Sequence, residues 1–194
     1  MPSRLRHLPN LISTLRVVLV IPSAWYLWTE QYTYALVLMA VAAVSDAVDG
    51  WLARAFNWTS VFGEIVDPVA DKLLIGTLFV VLTLKGHIPI WLVAVIVGRD
   101  LIILLGAVAY RLTFGEEEFP PTMVSKANTA VQLIVLIALL LGLCGIPQVS
   151  DIANWLVDPA GIFLVLVLGV VSGVDYLYTW TRKSWDRARL RNES

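Results

Sequence analysis

Apolar residues run through this chain in long blocks, and polar residues fall in short clusters between them. A helix needs about 20 apolar residues to cross roughly 30 Å of hydrocarbon. Six blocks approach that length, near positions 11 to 28, 33 to 54, 62 to 84, 88 to 110, 124 to 145 and 155 to 180. Pro9, Thr29-Glu30-Gln31, Lys85-Gly86-His87, Pro120-Pro121 and Gly145-Ile146-Pro147 punctuate them, all of them turn or helix-breaking signals. The pattern predicts an all-α, polytopic membrane protein with six transmembrane helices. The short connections predict antiparallel neighbours.

Composition agrees and narrows the picture. The chain has 194 residues, 58% hydrophobic and 15% charged, which suits one transmembrane domain over 1–194. The longest polar stretches are the first ten residues, the 111 to 122 loop and the tail from Arg182, and none is large enough to bury a core of its own. Cys144 is the single cysteine, which excludes a disulfide framework or cysteine metal site within one chain. No nucleic-acid partner is expected.

Charge sets the expected orientation, because cytoplasmic segments of membrane proteins carry an excess of Lys and Arg. With the N-terminus inside, Arg4, Arg6, Arg54, Arg111, Lys126, Arg182, Lys183, Arg187, Arg189 and Arg191 fall on the inner side, against Lys85 outside. Both termini are then cytoplasmic. The first apolar block is long and no small-residue cleavage site follows it, so it reads as a retained span. The short N-terminus carries no transit-peptide pattern, which favours a bacterial inner membrane over an organelle.

Charges within apolar blocks are costly and point to chemistry. Asp46 and Asp49 are spaced i, i+3 and Asp67 and Asp71 i, i+4, so each pair lies on one face of its helix. Antiparallel helices around a turn near Trp58 set Asp46 level with Asp71 and Asp49 level with Asp67. Four carboxylates in one groove repel unless a counter-charge is present. An all-oxygen donor set favours Mg2+, Mn2+ or Ca2+ over Zn2+, and two such ions are a recurrent device for clamping phosphates. The plainer alternative is structural ion pairing with Arg54 and Lys72. Gly50 and Gly63 either pack helices closely or let a flat ligand reach the backbone. Arg54 is either an inner-surface anchor or a forked phosphate ligand.

The run Asp46-x-x-Asp49-Gly50-x-x-Ala53-Arg54, eight residues, then Gly63-x-x-x-Asp67-x-x-x-Asp71 resembles the complete signature of the CDP-alcohol phosphatidyltransferases. The resemblance covers nearly the whole chain and implies that family's six-helix fold. It implies that Asp46, Asp49, Asp67 and Asp71 ligate two Mg2+ or Mn2+ ions. It further implies that Asp71 is the catalytic base, that Gly50, Ala53, Arg54 and Gly63 hold the CDP group of CDP-diacylglycerol, and that the protein is a homodimer. CMP is the leaving group, and the active site faces the cytoplasm.

Outside the signature, Asn10 to Arg16, the pair Arg99-Asp100 and the stretch Pro121 to Leu133 look most like the cardiolipin-forming members, whose acceptor is phosphatidylglycerol. Members that use glycerol 3-phosphate and make phosphatidylglycerophosphate are the alternative. Those typically open this fifth helix with Gly-Lys-x-Lys-Thr, whereas Ser125-Lys126-Ala127-Asn128-Thr129 stands here. Asn128 replaces a lysine, and one fewer cation suits a phosphodiester better than a phosphomonoester. Lys126, Asn128, Arg99 and Arg16 are therefore the candidate contacts to acceptor or lipid phosphate. Against this, Lys126 can simply meet the interface, Asn128 can cap or pack locally, and Arg16 can snorkel to the inner headgroups. Arg99 and Asp100 leave the helix about 100° apart, and Arg99 is expected to bind a lipid phosphate or an interior carboxylate. The basic tail is expected to touch anionic lipid.

A divalent cation transporter is the reading from a different class. Transport sites lie near the midplane between related repeats; here the acids crowd toward one surface and no repeat is visible.

Overall fold

The computed structural model describes residues 8–56, 61–114 and 122–192; within them, the side chains of Asp46, Asp49, Gly50, Ala53, Arg54, Gly63, Asp67 and Asp71 lie outside the description. Seven α-helices are present among the described residues: α1 (Leu8–Trp28), α2 (Tyr32–Phe56), α3 (Val61–Leu84), α4 (Ile90–Phe114), α5 (Met123–Leu143), α6 (Val149–Leu156) and α7 (Ile162–Asn192). A π-helical turn, Val157–Gly161, joins α6 to α7.

The predicted turns sit where the chain places its punctuation. At the end of α1 the Gln31 amide donates to Tyr26 O at 2.8 Å and the Glu30 amide to Leu27 O at 3.1 Å. At the end of α3 the His87 amide donates to Leu82 O at 2.9 Å and the Gly86 amide to Thr83 O at 2.9 Å. Both are Schellman caps, which need a residue in the left-handed region. Gly86 takes it freely at φ 80°, while Glu30 takes it at φ 61° against the cost of a side chain. The start of α5 is fixed differently. Thr122 Oγ1 accepts from the Ser125 amide at 3.2 Å, an N-cap bond.

The sixth apolar block departs from expectation. It was placed at 155 to 180, yet helical structure starts at Val149 and runs to Asn192. The short α6 is amphipathic rather than uniformly apolar, with Asp151 in its first turn, so hydrophobicity alone missed it. Pro159 lies in the following turn, where a missing amide and a bulky ring forbid regular α-helix, and a π turn absorbs the disruption. Gly161 belongs to the same device: a Cβ there would lie 2.5 Å from Leu156 O. Beyond Arg182 the tail is rich in Arg, Lys, Leu and Ala, all good helix formers, so the helix continues past the apolar stretch.

The described residues divide into two compact units, one of Met1–Pro89 with Leu136–Asn154 and one of Ile90–Val135 with Trp155–Ser194. In the first, α1 packs against both α2 and α3. The C-terminal ends of α1 and α3 meet, because Lys85 Nζ reaches Glu30 Oε1 at 2.7 Å and lies 5.5 Å from the Trp28 ring centroid. The start of α2 joins them through Tyr32 and His87, 3.2 Å apart. So α1 and α3 run parallel, with α2 antiparallel to both. In the second unit, positions 95, 99 and 103 of α4 meet 169, 172 and 176 of α7 in ascending order. Those two helices are parallel as well.

The exterior is far more apolar than that of a water-soluble fold, and several polar side chains lie inside. Arg16, Ser23, Arg99, Ser125, Asn128, Gln132 and Ser172 are buried, while Ile21, Val44, Ile90, Leu105, Trp155 and Phe163 are among many large apolar side chains that are exposed. A surface this apolar calls for a partner or a lipid phase. Among the described residues, Met123–Leu143 and Ile162–Arg182 are helices long and apolar enough to cross a bilayer; Thr14–Trp28, Tyr32–Ser45 and Lys72–Leu84 are shorter apolar stretches.

Candidate active site

The signature occupies α2 and α3 of the first unit. Ala35, Met39 and Ala42 are buried on α2, at spacings of four and three that mark one helix face. Positions 46, 49 and 53 continue that register toward the far end of α2. On α3, Ala70, Leu74 and Leu78 are buried; positions 63 and 67 extend that register backward, and position 71 falls three residues before Leu74. The signature positions therefore occupy the end of each helix next to its buried apolar stretch.

Height along the helices follows from the meeting of Tyr32 with His87. At about 1.5 Å per residue, Asp46 lies about 21 Å from the start of α2, and Asp71 about 20 Å from the end of α3. Asp49 and Asp67 each lie about 26 Å along. The two pairs are level. Arg16 on α1 stands about 18 Å from the Trp28 end, near the height of Asp46 and Asp71, and is 1% exposed. That burial places its head in the interior, not at a headgroup surface.

Positions 46, 49, 67 and 71 all carry Asp, and carboxylates at those heights would suit Mg2+ or Mn2+, hard cations that take oxygen ligands. Among the described residues no three His, Cys, Asp or Glu side chains gather.

A second polar centre lies in the other unit. Arg99, 4% exposed on α4, donates from Nε and a terminal nitrogen to Ser172 Oγ at 3.1 and 2.6 Å. The same terminal nitrogen donates to Ser125 Oγ, and the other pairs with Asp100 Oδ1. The serines of α5 and α7 thus clasp one guanidinium. Although Arg99 and Asp100 leave the helix in different directions, the long arginine stem folds back to meet its neighbour. Small residues make room: a Cβ on Gly173 would touch Arg99 Cγ at 3.7 Å.

One turn along α5 from Ser125, Asn128 is fully buried and Gln132 is 1% exposed. Among the described residues, neither the Asn128 amide oxygen and nitrogen nor the Gln132 amide nitrogen has a hydrogen-bond partner. A buried polar group left this way costs about 1–3 kcal/mol. Lys126 points elsewhere and is exposed. The four acceptor candidates are therefore separated: Arg99 and Asn128 are interior to the second unit, Lys126 is on its surface, and Arg16 is interior to the first. Sequence reasoning missed Ser172 and Gln132; a glutamine inside an apolar block four residues from Asn128 was an available signal.

Comparison with known proteins fits this architecture. Residues 6–172 match the family model for CDP-alcohol phosphatidyltransferase. The chain belongs to that family, whose members generally use a divalent metal. It is 34% identical over 149 residues to the cardiolipin synthase (CMP-forming) of Rattus norvegicus, covering 68% of this chain and 49% of the relative. Identity is also 34% over 155 residues to the chloroplastic CDP-diacylglycerol--glycerol-3-phosphate 3-phosphatidyltransferase 1 of Oryza sativa subsp. japonica, covering 71% and 47%. A probable phosphatidylglycerophosphate synthase of Mycobacterium tuberculosis is 31% identical over 182 residues, covering 90% and 82%. The chain spans about half the length of the first two relatives.

Proposed function

We propose that this protein transfers the phosphatidyl group of CDP-diacylglycerol to phosphatidylglycerol, giving cardiolipin and CMP. The observation that supports the transfer most is a complete family signature in register with the buried stripes of α2 and α3. A hydroxyl of the acceptor attacks the phosphorus that carries the diacylglycerol. The bond from that phosphorus to the bridging oxygen breaks, and CMP departs with the electron pair. Asp71 takes the hydroxyl proton, since an alcohol is a weak nucleophile without a base. Asp46, Asp49, Asp67 and Asp71 would hold two divalent cations, which when bound would supply neutralising charge for the pyrophosphate. Gly50, Ala53, Arg54 and Gly63 seat the CDP group, and buried Arg16 adds a positive charge at the same height. The same reading takes the enzyme as a homodimer of six-span protomers in a bacterial inner membrane, with termini and site cytoplasmic.

Support for phosphatidylglycerol as acceptor comes from Asn128, a neutral side chain buried where the glycerol 3-phosphate users typically carry lysine. The relatives from Oryza sativa and Mycobacterium tuberculosis keep glycerol 3-phosphate as the second reading. Purified protein given CDP-diacylglycerol, Mg2+ or Mn2+ and labelled acceptor decides between them. Cardiolipin from phosphatidylglycerol is the expected product; preference for glycerol 3-phosphate transfers the chain to the second reading. No CMP release with any alcohol refutes both.

A further inference from the structure

Within the first unit an apolar groove ends at an ion pair. Ile21, Ala24, Trp25 and Trp28 of α1 and Thr77 and Val81 of α3 line a groove of about 510 Å3. No charged side chain lines it, and Thr77 brings its only hydroxyl. From Ile21 to Trp28 it runs about 10 Å along α1. That length and lining suit a hydrocarbon chain lying along the helices. The signature positions stand toward the opposite ends of α2 and α3, so the groove is separate from them.

Polarity changes at the Trp28 end. Lys85 Nζ lies 5.5 Å from the Trp28 ring centroid and 2.7 Å from Glu30 Oε1. The Glu30 side chain is 63% exposed, which leaves its carboxylate open to a second cation, and an ammonium with three donors can serve a second acceptor. Indole rings favour the depth at which lipid headgroups meet acyl chains. A lipid with its acyl chain in the groove therefore brings its headgroup to a cation and an anion held side by side. A purely anionic headgroup satisfies Lys85 and is repelled by Glu30, whereas a zwitterionic one matches both.

We propose that the α1–α3 groove binds one phospholipid of the phosphatidylethanolamine class, with an acyl chain along Ile21 to Trp28, the phosphate on Lys85 and the primary ammonium on Glu30. The ammonium donates hydrogen bonds to the carboxylate, which a quaternary headgroup has no hydrogen to make. This lipid is neither donor nor acceptor in the transfer reaction, so the proposal stands apart from the choice of acceptor.

The test counts lipid retained by the full-length protein, delipidated in detergent and titrated with phosphatidylethanolamine or phosphatidylmethanol of the same acyl chains, by native mass spectrometry. Phosphatidylmethanol keeps the anionic phosphate and lacks both the ammonium and any acceptor hydroxyl. Wild-type protein is expected to favour phosphatidylethanolamine about fivefold, the scale of one exposed ion pair. Ala24→Phe and Thr77→Phe fill the groove and should each lower its retention about tenfold with Tm unchanged. Glu30→Gln should erase the preference while phosphatidylmethanol is still retained, and Lys85→Gln should weaken both lipids. Equal retention of the two lipids by the wild type overturns the proposal without any variant. So does full retention by both phenylalanine variants. Dissociation of a dimer in those variants without loss of lipid gives the groove to a second copy of the protein and likewise overturns it.

Discussion

Replacing Asp71 with asparagine keeps shape and removes the proton acceptor, so turnover should fall to background while binding of CDP-diacylglycerol persists. Wild-type turnover in that variant would remove Asp71 from the role of base. Arg99 carries a different load. Arg99→Leu strips two serines of their partner and leaves Asp100, whose side chain is 15% exposed, without its cation. The expected cost is about 3–5 kcal/mol, read as a large fall in Tm in detergent. At this scale the sequence was informative where spacing alone carries meaning, as for the signature from Asp46 to Asp71, which pointed to the family. It was silent where meaning depends on which helices meet. Ser172 is an unremarked hydroxyl until α7 lies beside Arg99. Arg99 was expected to meet a lipid phosphate or an interior carboxylate, and Asp100 supplies a carboxylate; that its own neighbour does so was hidden, because helical rotation separates the Cβ atoms and says little about the end of a long flexible stem.

Among the elements, boundaries marked by special backbone were legible and boundaries set by compensation were not. Gly86 announces the end of α3, and Thr29-Glu30-Gln31 announces that of α1. The α6 to α7 junction hides, because Pro159 usually ends a helix and here a π turn carries the chain through. Gly161→Ala should therefore destabilise by about 1–3 kcal/mol, since its Cβ meets a backbone carbonyl that cannot swing away; an unchanged Tm would show that the turn relaxes. The α1 to α2 turn gives a pH effect of known sign. Lys85, by hydrogen bond and by charge, holds the Glu30 carboxyl below its ordinary 4.5. A depressed folded-state pKa contributes stability that is present above 4.5 and lost as pH falls through the lowered value. The exposure of Glu30 to solvent keeps that effect small. Lys85→Ala should return the Glu30 titration to the ordinary carboxylate range, measured by NMR.

For the molecule as a whole, the apolar exterior and buried polar centres fit a lipid environment, and helix order within each unit fits a chain that reverses at every connection. The proposed six crossings would place both termini on one side. With Cys144 changed to serine, a cysteine at position 85 and one at position 187 should label from opposite faces of sealed vesicles, position 187 from the cytoplasmic face. Labelling of both from one face would refute the six-span topology. Block length made an all-helical membrane fold legible. Which polar residues turn inward was not legible, because an apolar block offers lipid on every side and the buried face emerges only once helices pair.

The length of α7 has a practical corollary. Its 31 residues make a rod about 46 Å long, and Ser172, which grips Arg99, sits on the same unbroken rod as the C-terminal residues. A tag fused rigidly to Asn192 would act as a handle on a crank, turning Ser172 with it. Reporter fusions should therefore join this end through a flexible glycine-serine spacer, so that motion of the cargo is dissipated before it reaches the Arg99 clasp.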